Sequence, residues 1–137
     1  MDTIQIPIQF LPTEHICCQL LLNDKPVFLL IDTGATNSCI AFSRYEFYSM
    51  KLQEESIEAA GAGLEKLKAQ KTEKAVLRTQ CTAVIQKFSW MVLDLAPINT
   101  SLEKNEAPAI DGILGADVLR KRKACIDYDK DLLTLQL

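Results

Sequence analysis

The sequence predicts an all-β fold, a small closed barrel with one or two short helices. Short apolar runs recur along the chain and polar turns separate them, which is typical of small barrels. Two short segments carry a helix-start signal. At 137 residues and 48% hydrophobic content the chain has enough apolar material for a core, so residues 1–137 are expected to form a single domain.

The strands are predicted from apolar runs bounded by turn residues. Pro7 lies within the first run and cannot donate a ladder hydrogen bond, which favours an edge strand. The turn at residues 23–26 joins two longer runs into a hairpin. Strands are predicted at residues 4–10, 16–22, 27–31, 38–41, 75–79, 82–88 and 89–95, with a closing hairpin of residues 125–128 and 132–137.

Two segments are expected to form short helices, and one long segment is expected to be a loop. The run Ser43-Arg44-Tyr45-Glu46 matches a capping box, which predicts a helix over residues 43–50. Asp117 can cap a helix that ends near Lys123. The segment from Pro97 to Pro108 is expected to be a polar loop.

Composition indicates which classes of partner to expect. The net charge of −3 gives no basic field for nucleic acid, and the basic run at residues 120–123 is interpreted as the solvated end of a short helix. No run approaches the ~20 apolar residues that span a bilayer. The first residues lack the basic and apolar parts of a signal peptide. We therefore expect a cytoplasmic protein whose partners are neither nucleic acid nor a membrane.

The five cysteines cannot all pair, and their spacing fits no disulfide framework and no zinc motif. We expect reduced thiols in the core, with Cys17 and Cys18 on opposite faces of a strand. His15 is the only histidine, which excludes a multi-histidine metal site. Neither a metal nor a cofactor is expected.

The most informative residue is an aspartate at the end of an apolar run. Residues 27–31 predict a strand buried on both faces, and Asp32-Thr33-Gly34-Ala35-Thr36 follows directly. A carboxylate leaving such a strand is costly to bury without partners, and Gly34 lets the backbone turn sharply. The residues alone leave two interpretations, a catalytic acid or base and an Asx turn that ends the strand.

Two motifs carry a family resemblance. The run Leu30-Ile31-Asp32-Thr33-Gly34-Ala35-Thr36 resembles the active-site loop of the retropepsin-like aspartic proteases. About 80 residues later, the run from Ile110 to Leu119 resembles that family's late hydrophobic-hydrophobic-glycine motif, here Ile113, Leu114 and Gly115. The resemblance covers the chain from about Ile16 onward and is nearer to the cellular and bacterial members.

The resemblance implies an active site shared by two chains. The chemistry of the family needs two carboxylates that share one proton around a water molecule, and this chain has one Asp-Thr-Gly. Asp32 of two copies would therefore meet across a twofold axis. By the same resemblance, Thr33 would hydrogen-bond across that axis. Support of the active-site loop would fall to Thr33, Gly34, Ala35 and Thr36.

The chain departs from the retroviral pattern at one pair of positions. Retroviral members usually have an acidic residue where Thr36 stands and an arginine where Ala116 stands, and they pair the two ionically. Because both are absent together, no charge is left unpaired, but the loop must be braced differently. This difference puts dimerisation by interleaved termini in doubt. Asp111 is the alternative second carboxylate, and we interpret it as structural.

Residues 52–75 leave two interpretations open. Glu, Lys and Ala are frequent there, which favours a surface helix, and a flexible loop with Gly61 and Gly63 would break it. By position in the family, residues 59–63 instead resemble the tip of the flap that covers the substrate. The flap candidates are Ala60, Gly61, Ala62 and Gly63.

The sequence thus supports the hypothesis of an aspartic endopeptidase, a peptide hydrolase that acts as a homodimer on an extended peptide or protein substrate. The alternative is a non-catalytic dimeric peptide-binding module on the same fold. A third possibility is a processing domain released from a longer precursor. The intact Asp-Thr-Gly favours the enzyme.

Overall fold

The computed structural model describes residues 2–54 and 70–137. Short strands make up most of their regular structure, as predicted. The strands are β1 Thr3–Pro7, β2 Gln9–Phe10, β3 Ile16–Leu22, β4 Lys25–Ile31, β5 Cys39–Ala41, β6 Gln70–Lys71, β7 Ala75–Arg78, β8 Val84–Phe88, β9 Met91–Leu93, β10 Gly112–Leu114, β11 Cys125–Asp127 and β12 Leu132–Gln136, and the helices are α1 Ala96–Lys104 and α2 Ala116–Leu119.

The strands form two sheets. The larger has nine strands in the order β6-β9-β5-β10-β4-β3-β7-β8, with β2 paired to β3. Its strands pair antiparallel except for β10 with β4 and β5 with β9. The smaller sheet has the order β1-β12-β11. Over the residues that the structure describes, the path of the larger sheet is open, and the curled sheet forms a half-barrel of the predicted fold type.

The β3–β4 hairpin positions the strand that leads to Asp32. Asn23 and Asp24 have φ angles of 47° and 68°, so both adopt the left-handed conformation that a two-residue hairpin turn needs. The Asn23 side chain also accepts a hydrogen bond from Val76 N (3.0 Å) and donates one to Tyr48 O (2.9 Å). One residue therefore closes the hairpin and ties it to β7 and to the segment after β5.

The core lies on both faces of β3 and β4. Cys18 and Leu29 pack in the larger cluster of buried residues, whereas their neighbours Cys17 and Leu30 pack in a second cluster. This confirms that the two cysteines lie on opposite faces of the strand. All five cysteines are free, but Cys81 and Cys125 are exposed rather than in the core as expected. Burial raises the pKa of Cys17 to about 11, so its thiol stays protonated near neutral pH.

The prediction of a loop between Pro97 and Pro108 is wrong, because residues 96–104 form helix α1. Pro97 lies in the first turn, where its missing N–H removes no helical hydrogen bond and its fixed φ suits the helix. The helix is held in place by Asn99, whose side chain accepts from Ile110 N (2.8 Å) and donates to Ile110 O (3.1 Å). Leu102 is buried beneath it.

The helix boundaries predicted from capping residues also need correction. Residues 42–49 form successive turns rather than a helix, and Ser49 takes a positive φ of 57° that ends the segment. Helix α2 begins after Gly115 as its N-cap and ends at Leu119, so Asp117 lies in its first turn and does not cap it. The Asp117 carboxylate accepts hydrogen bonds from both the N–H and the hydroxyl of Ser38.

We expect Asn23→Gly to lower the free energy of unfolding by about 1–3 kcal/mol, because it removes two part-buried hydrogen bonds. Asn23→Ala should cost roughly a further 1 kcal/mol, since alanine strains the left-handed conformation that glycine adopts freely. Urea denaturation of the two variants would measure the cost of the lost hydrogen bonds and the additional cost of the backbone strain. Equal losses would show that the backbone angle contributes nothing.

Candidate active site

Asp32 lies where β4 leaves the larger sheet. Strand β4 runs parallel to β10, with Ile31 opposite Leu114. The Asp32 N–H continues this ladder by donating to Leu114 O at 3.0 Å. The backbone that carries the carboxylate is therefore held by the two central strands, although the residue itself is only half-buried.

The loop after Asp32 turns tightly around its carboxylate. Gly34 N donates to Asp32 Oδ1 at 2.9 Å, and Ala35 N donates to Asp32 O at 3.2 Å. A Cβ at position 34 would lie 3.3 Å from the same Oδ1, closer than most side chains tolerate. The Asx turn considered from sequence is thus present, and it orients the carboxylate on a loop where Thr33, Gly34 and Thr36 are exposed.

The late glycine motif packs directly behind this loop. Ala116 N donates to Ala35 O at 2.7 Å. A Cβ on Gly115 would lie 2.8 Å from Ala35 O and 2.9 Å from the Asn37 carbonyl carbon, both backbone atoms. Glycine at position 115 is therefore required for this segment to pack so closely against the backbone of the Asp32 loop. Of the motif's apolar pair, Leu114 is fully buried and Ile113 is half-buried.

A buried hydrogen-bond network joins the loop to α2. Ser38, which is fully buried, donates from its N–H to Asp117 Oδ2 (2.9 Å) and from its hydroxyl to Asp117 Oδ1 (2.7 Å). The hydroxyl also accepts from Gly115 N at 2.9 Å. We call Ser38, Gly115 and Asp117 the loop brace. It links the same two segments that the retroviral ion pair joins, at a point where Thr36 and Ala116 carry no charge.

The role of Ser38 was not predicted from the sequence, and Asp117 was expected to cap a helix instead. The only signal available was an aspartate two residues after Gly115, which also fits a helix cap. Neither a serine nor an aspartate identifies its partner across 79 residues of sequence.

Asp111 has a carboxylate that is fully engaged in holding the fold. Its Oδ2 accepts from Phe28 N at 2.9 Å, and its Oδ1 accepts from Arg44 Nε at 3.1 Å. Its backbone accepts from Ala41 N at 2.8 Å. The Arg44 guanidinium in turn lies 4.1 Å from the centre of the Phe47 ring. Asp111 thus connects β4, β5 and the turns that follow β5, which is a structural arrangement.

Among residues 2–54 and 70–137, no three His, Cys, Asp or Glu side chains gather as they would around a metal ion. No helix within these ranges is long and apolar enough to cross a membrane. The flap candidates Ala60, Gly61, Ala62 and Gly63 lie outside the described residues.

We expect Ser38→Ala to lower the free energy of unfolding by about 1–3 kcal/mol, because it leaves Gly115 N without an acceptor in a buried site. Asp117→Asn, which keeps one acceptor oxygen, should cost less than Asp117→Ala. Thr36→Ala is the matched control on the exposed side of the loop and should change stability by less than about 0.5 kcal/mol. Thermal unfolding of the four variants would test the order.

Comparison with protein families agrees with this geometry. The family model for retroviral aspartyl protease matches residues 13–127. A comparison with curated protein sequences gives no match. The family match covers most of the chain and includes both the Asp32 loop and the late glycine motif.

Solved structures show the same fold. The retroviral protease-like domain of Ddi1 from Leishmania major superposes with a TM-score of 0.59 at 16% identity, covering 88% of this chain and 86% of that one. A retropepsin-like aspartic protease from Rickettsia conorii superposes with a TM-score of 0.55 at 18% identity, covering 98% of this chain and 89% of that one. The EIAV protease in complex with the inhibitor HBY-793 superposes with a TM-score of 0.50 at 16% identity, covering 83% of this chain and 93% of that one. The chain belongs to the retroviral aspartyl protease family.

Proposed function

We propose that this protein is an aspartic endopeptidase, and that its active site forms when Asp32 of two copies meet across a twofold axis. The observation that carries the proposal is the position of Asp32. It leaves the centre of a rigid sheet on an exposed loop, with Gly34 N orienting its carboxylate. A preorganised, solvent-accessible carboxylate is what acid-base catalysis requires.

In the proposed reaction, one Asp32 carboxylate is ionised and its counterpart is protonated. The ionised group takes a proton from a water held between the two, and the resulting oxygen nucleophile attacks the scissile carbonyl carbon. The protonated group donates its proton to the carbonyl oxygen. The resulting tetrahedral intermediate then collapses with proton transfer to the leaving amine. Two carboxylates this close cannot both ionise easily, which keeps one proton on the pair.

We assign the second carboxylate to another chain, because the candidate within the same chain, Asp111, holds the fold. Both of its oxygens accept hydrogen bonds, from Phe28 N and from Arg44 Nε. Freeing it would leave the Arg44 guanidinium and a backbone N–H without their partner. Such a loss is costly for a partly buried charge pair.

The expected substrate is an extended peptide that lies beside the Asp32 loops as an added strand. Backbone hydrogen bonds would provide affinity, and alternate side chains would fill pockets on either side. We expect this reaction to take place in the cytoplasm and to need no cofactor.

We expect Asp32→Asn to abolish peptide hydrolysis, because the amide keeps the size of the side chain but can neither take nor give the proton. A peptide-library digest analysed by mass spectrometry would measure this. The matched control is Asp111→Asn, which removes the other candidate carboxylate and should lower stability while leaving turnover measurable. Turnover by Asp32→Asn near that of the wild type would place the chemistry elsewhere.

The wild type and Asp32→Asn together separate the enzyme from the non-catalytic peptide-binding module. If the wild type binds peptides in a fluorescence-anisotropy assay but cleaves none across a range of pH, the peptide-binding module is the correct function. Cleavage that disappears with Asp32→Asn, with peptide binding retained, supports the enzyme.

We expect activity per chain to fall on dilution, since a separated chain holds half of the site. Adding excess Asp32→Asn protein to a fixed amount of wild type should also lower the rate of peptide hydrolysis, because a mixed dimer contains only one Asp32 carboxylate. Activity assays across protein concentration, alongside sedimentation velocity, would measure both effects. A fully active monomer would contradict the symmetric site.

A further inference from the structure

Helix α1 presents one of its faces to a surface cavity of about 410 Å³. The helix residues that line the cavity are Ala96, Asn99, Thr100 and Glu103, and their spacing of three or four positions places them on one face. Leu102 lies on another face and is buried. Asn99 also holds this part of the helix against the start of β10, through its two hydrogen bonds to the backbone of residue 110.

The cavity lies at the opposite edge of the larger sheet from Asp32. Phe42 and Asp94 also line it, and they follow directly after β5 and β9. Phe42 N donates to Leu93 O at 2.7 Å, which continues the pairing of these two strands. Strand β5 is antiparallel to β10, and β10 is parallel to β4, so β4 and β5 end at opposite edges of the sheet. Because Asp32 follows the end of β4, a molecule bound in the cavity would leave the Asp32 loop accessible.

Two exposed carboxylates stand at the two ends of the cavity. Asp94 comes just before α1, and Glu103 lies in the last turn of the helix. Among the described residues neither carboxylate forms an ion pair, and none of the residues that line the cavity is basic. Because a helix rises about 1.5 Å per residue, the Cα atoms of residues 96 and 103 are about 10 Å apart. The cavity therefore has two separate negative charges that can each receive a cation.

The basic side chains near the cavity do not neutralise these carboxylates. Arg44 follows Phe42 by two residues, but its guanidinium pairs with Asp111, at 3.1 Å from Nε to Oδ1. Lys104 is next to Glu103 in sequence, and consecutive helix residues do not face each other. A carboxylate in a last helical turn is also placed unfavourably for the helix dipole. Helix stability therefore does not account for Glu103.

Phe42 adds an aromatic surface to the same cavity. The residue is 57% exposed, and its ring packs on Tyr45 with 5.7 Å between ring centres. An arginine guanidinium stacks on aromatic rings and also forms hydrogen bonds with carboxylates in a fixed geometry, whereas a lysine ammonium is a more strongly hydrated point charge. The combination of Phe42 with two carboxylates therefore favours arginine as the bound side chain.

We propose that this cavity is a docking site for a basic segment of a partner protein, with two arginine side chains that reach Asp94 and Glu103 and one of them lying against Phe42. The partner is identified by charge complementarity, because the cavity is acidic at both ends and aromatic at its rim. Docking here does not require the proposed peptidase activity. It brings a protein to this chain at a surface separate from the Asp32 loop.

Peptide titration followed by two-dimensional NMR would test the site, with Asp32→Asn as the test protein so that no probe is cleaved. The probe is acetyl-Gly-Arg-Ala-Ala-Arg-Gly-amide, whose two arginines are about 10 Å apart in an extended chain. The matched probe has citrulline, the uncharged analogue of arginine, at both positions. We expect the arginine peptide to shift the amide signals of Phe42, Ser43 and helix α1, and the citrulline peptide to leave them in place.

Charge-removing variants of the same protein test the two carboxylates. Asp94→Asn and Glu103→Gln keep the size of each side chain, and Asp94→Asn keeps an acceptor for Ala96 N. Each should raise the dissociation constant of the arginine peptide about two- to fivefold, and the double variant should raise it further. Phe42→Leu should raise it by a similar factor, because the ring is lost and the apolar bulk is kept.

The matched control is Glu106→Gln, which removes a charge just beyond α1 at a residue that does not line the cavity. It should leave the dissociation constant of the arginine peptide unchanged. Thermal unfolding would verify that every variant is folded. Equal affinity for the arginine and citrulline peptides, or equal weakening by Glu106→Gln and Glu103→Gln, would overturn recognition by these carboxylates.

The remaining outcomes separate this site from other surfaces and from the proposed function. Shifts confined to residues 32–36 would place the peptide at the active-site loop and overturn the docking site. Cavity signals that shift with protein concentration alone, and stop doing so in Glu103→Gln, would identify the occupant as a second copy and overturn the partner protein. Specific binding at the cavity of a protein whose wild type cleaves no peptide would support the docking site and contradict the peptidase.

Discussion

Strand β10 lies between β4 and β5, and the whole site depends on how closely it fits there. A Cβ on Gly112 would lie 2.4 Å from Cys39 O and 3.1 Å from a methyl carbon of Leu29. Both neighbours belong to the paired strands, so the backbone could not make room without losing its ladder. The absence of one side chain therefore permits the parallel pairing that fixes the position of Asp32.

The loop brace holds the active-site loop where, among the described residues, no ion pair does so. A single carboxylate, that of Asp117, accepts from Ser38 N, from the Ser38 hydroxyl and from Val118 N at 2.9 Å. Hydrogen bonds to a charged acceptor are stronger than those between neutral groups. This arrangement leaves only one charge to be desolvated, whereas an arginine-carboxylate pair would require two. The loop is thus braced with fewer charged groups.

Much of the fold could be predicted from the sequence because its determinants are local. The apolar run of β4, the turn at Asn23 and Asp24, and Pro7 on β1 each act within a few residues. The position of Asp32 followed from the same run. Helix α1 was missed because Pro97 suggested a loop, although proline is compatible with a first turn.

The parts that could not be predicted depend on contacts between distant segments. Ser38 and Asp117, and likewise Asp111 and Arg44, meet only once the sheet has formed. Their residue types are common on surfaces and in turns, so no local pattern distinguishes them. The expected helix at residues 43–50 failed for the same reason, because its turns carry Arg44 to Asp111 instead of continuing a helical ladder.

The ladder between β1 and β12 bears on the order in which the parts of the chain fold. Leu133 and Leu135 of β12 are fully buried in the larger core cluster, so that core is incomplete until β12 has packed against it. Each residue of β1 pairs with a residue at least 125 positions later in the sequence, from Pro7 with Leu132 to Thr3 with Gln136. Contacts between such distant residues form slowly, because the entropy cost of closing a long loop comes before the contacts contribute any stabilisation. The pairing of β1 with β12 is therefore among the slowest steps of folding, whereas the β3–β4 hairpin, whose strands are adjacent in sequence, can form before it.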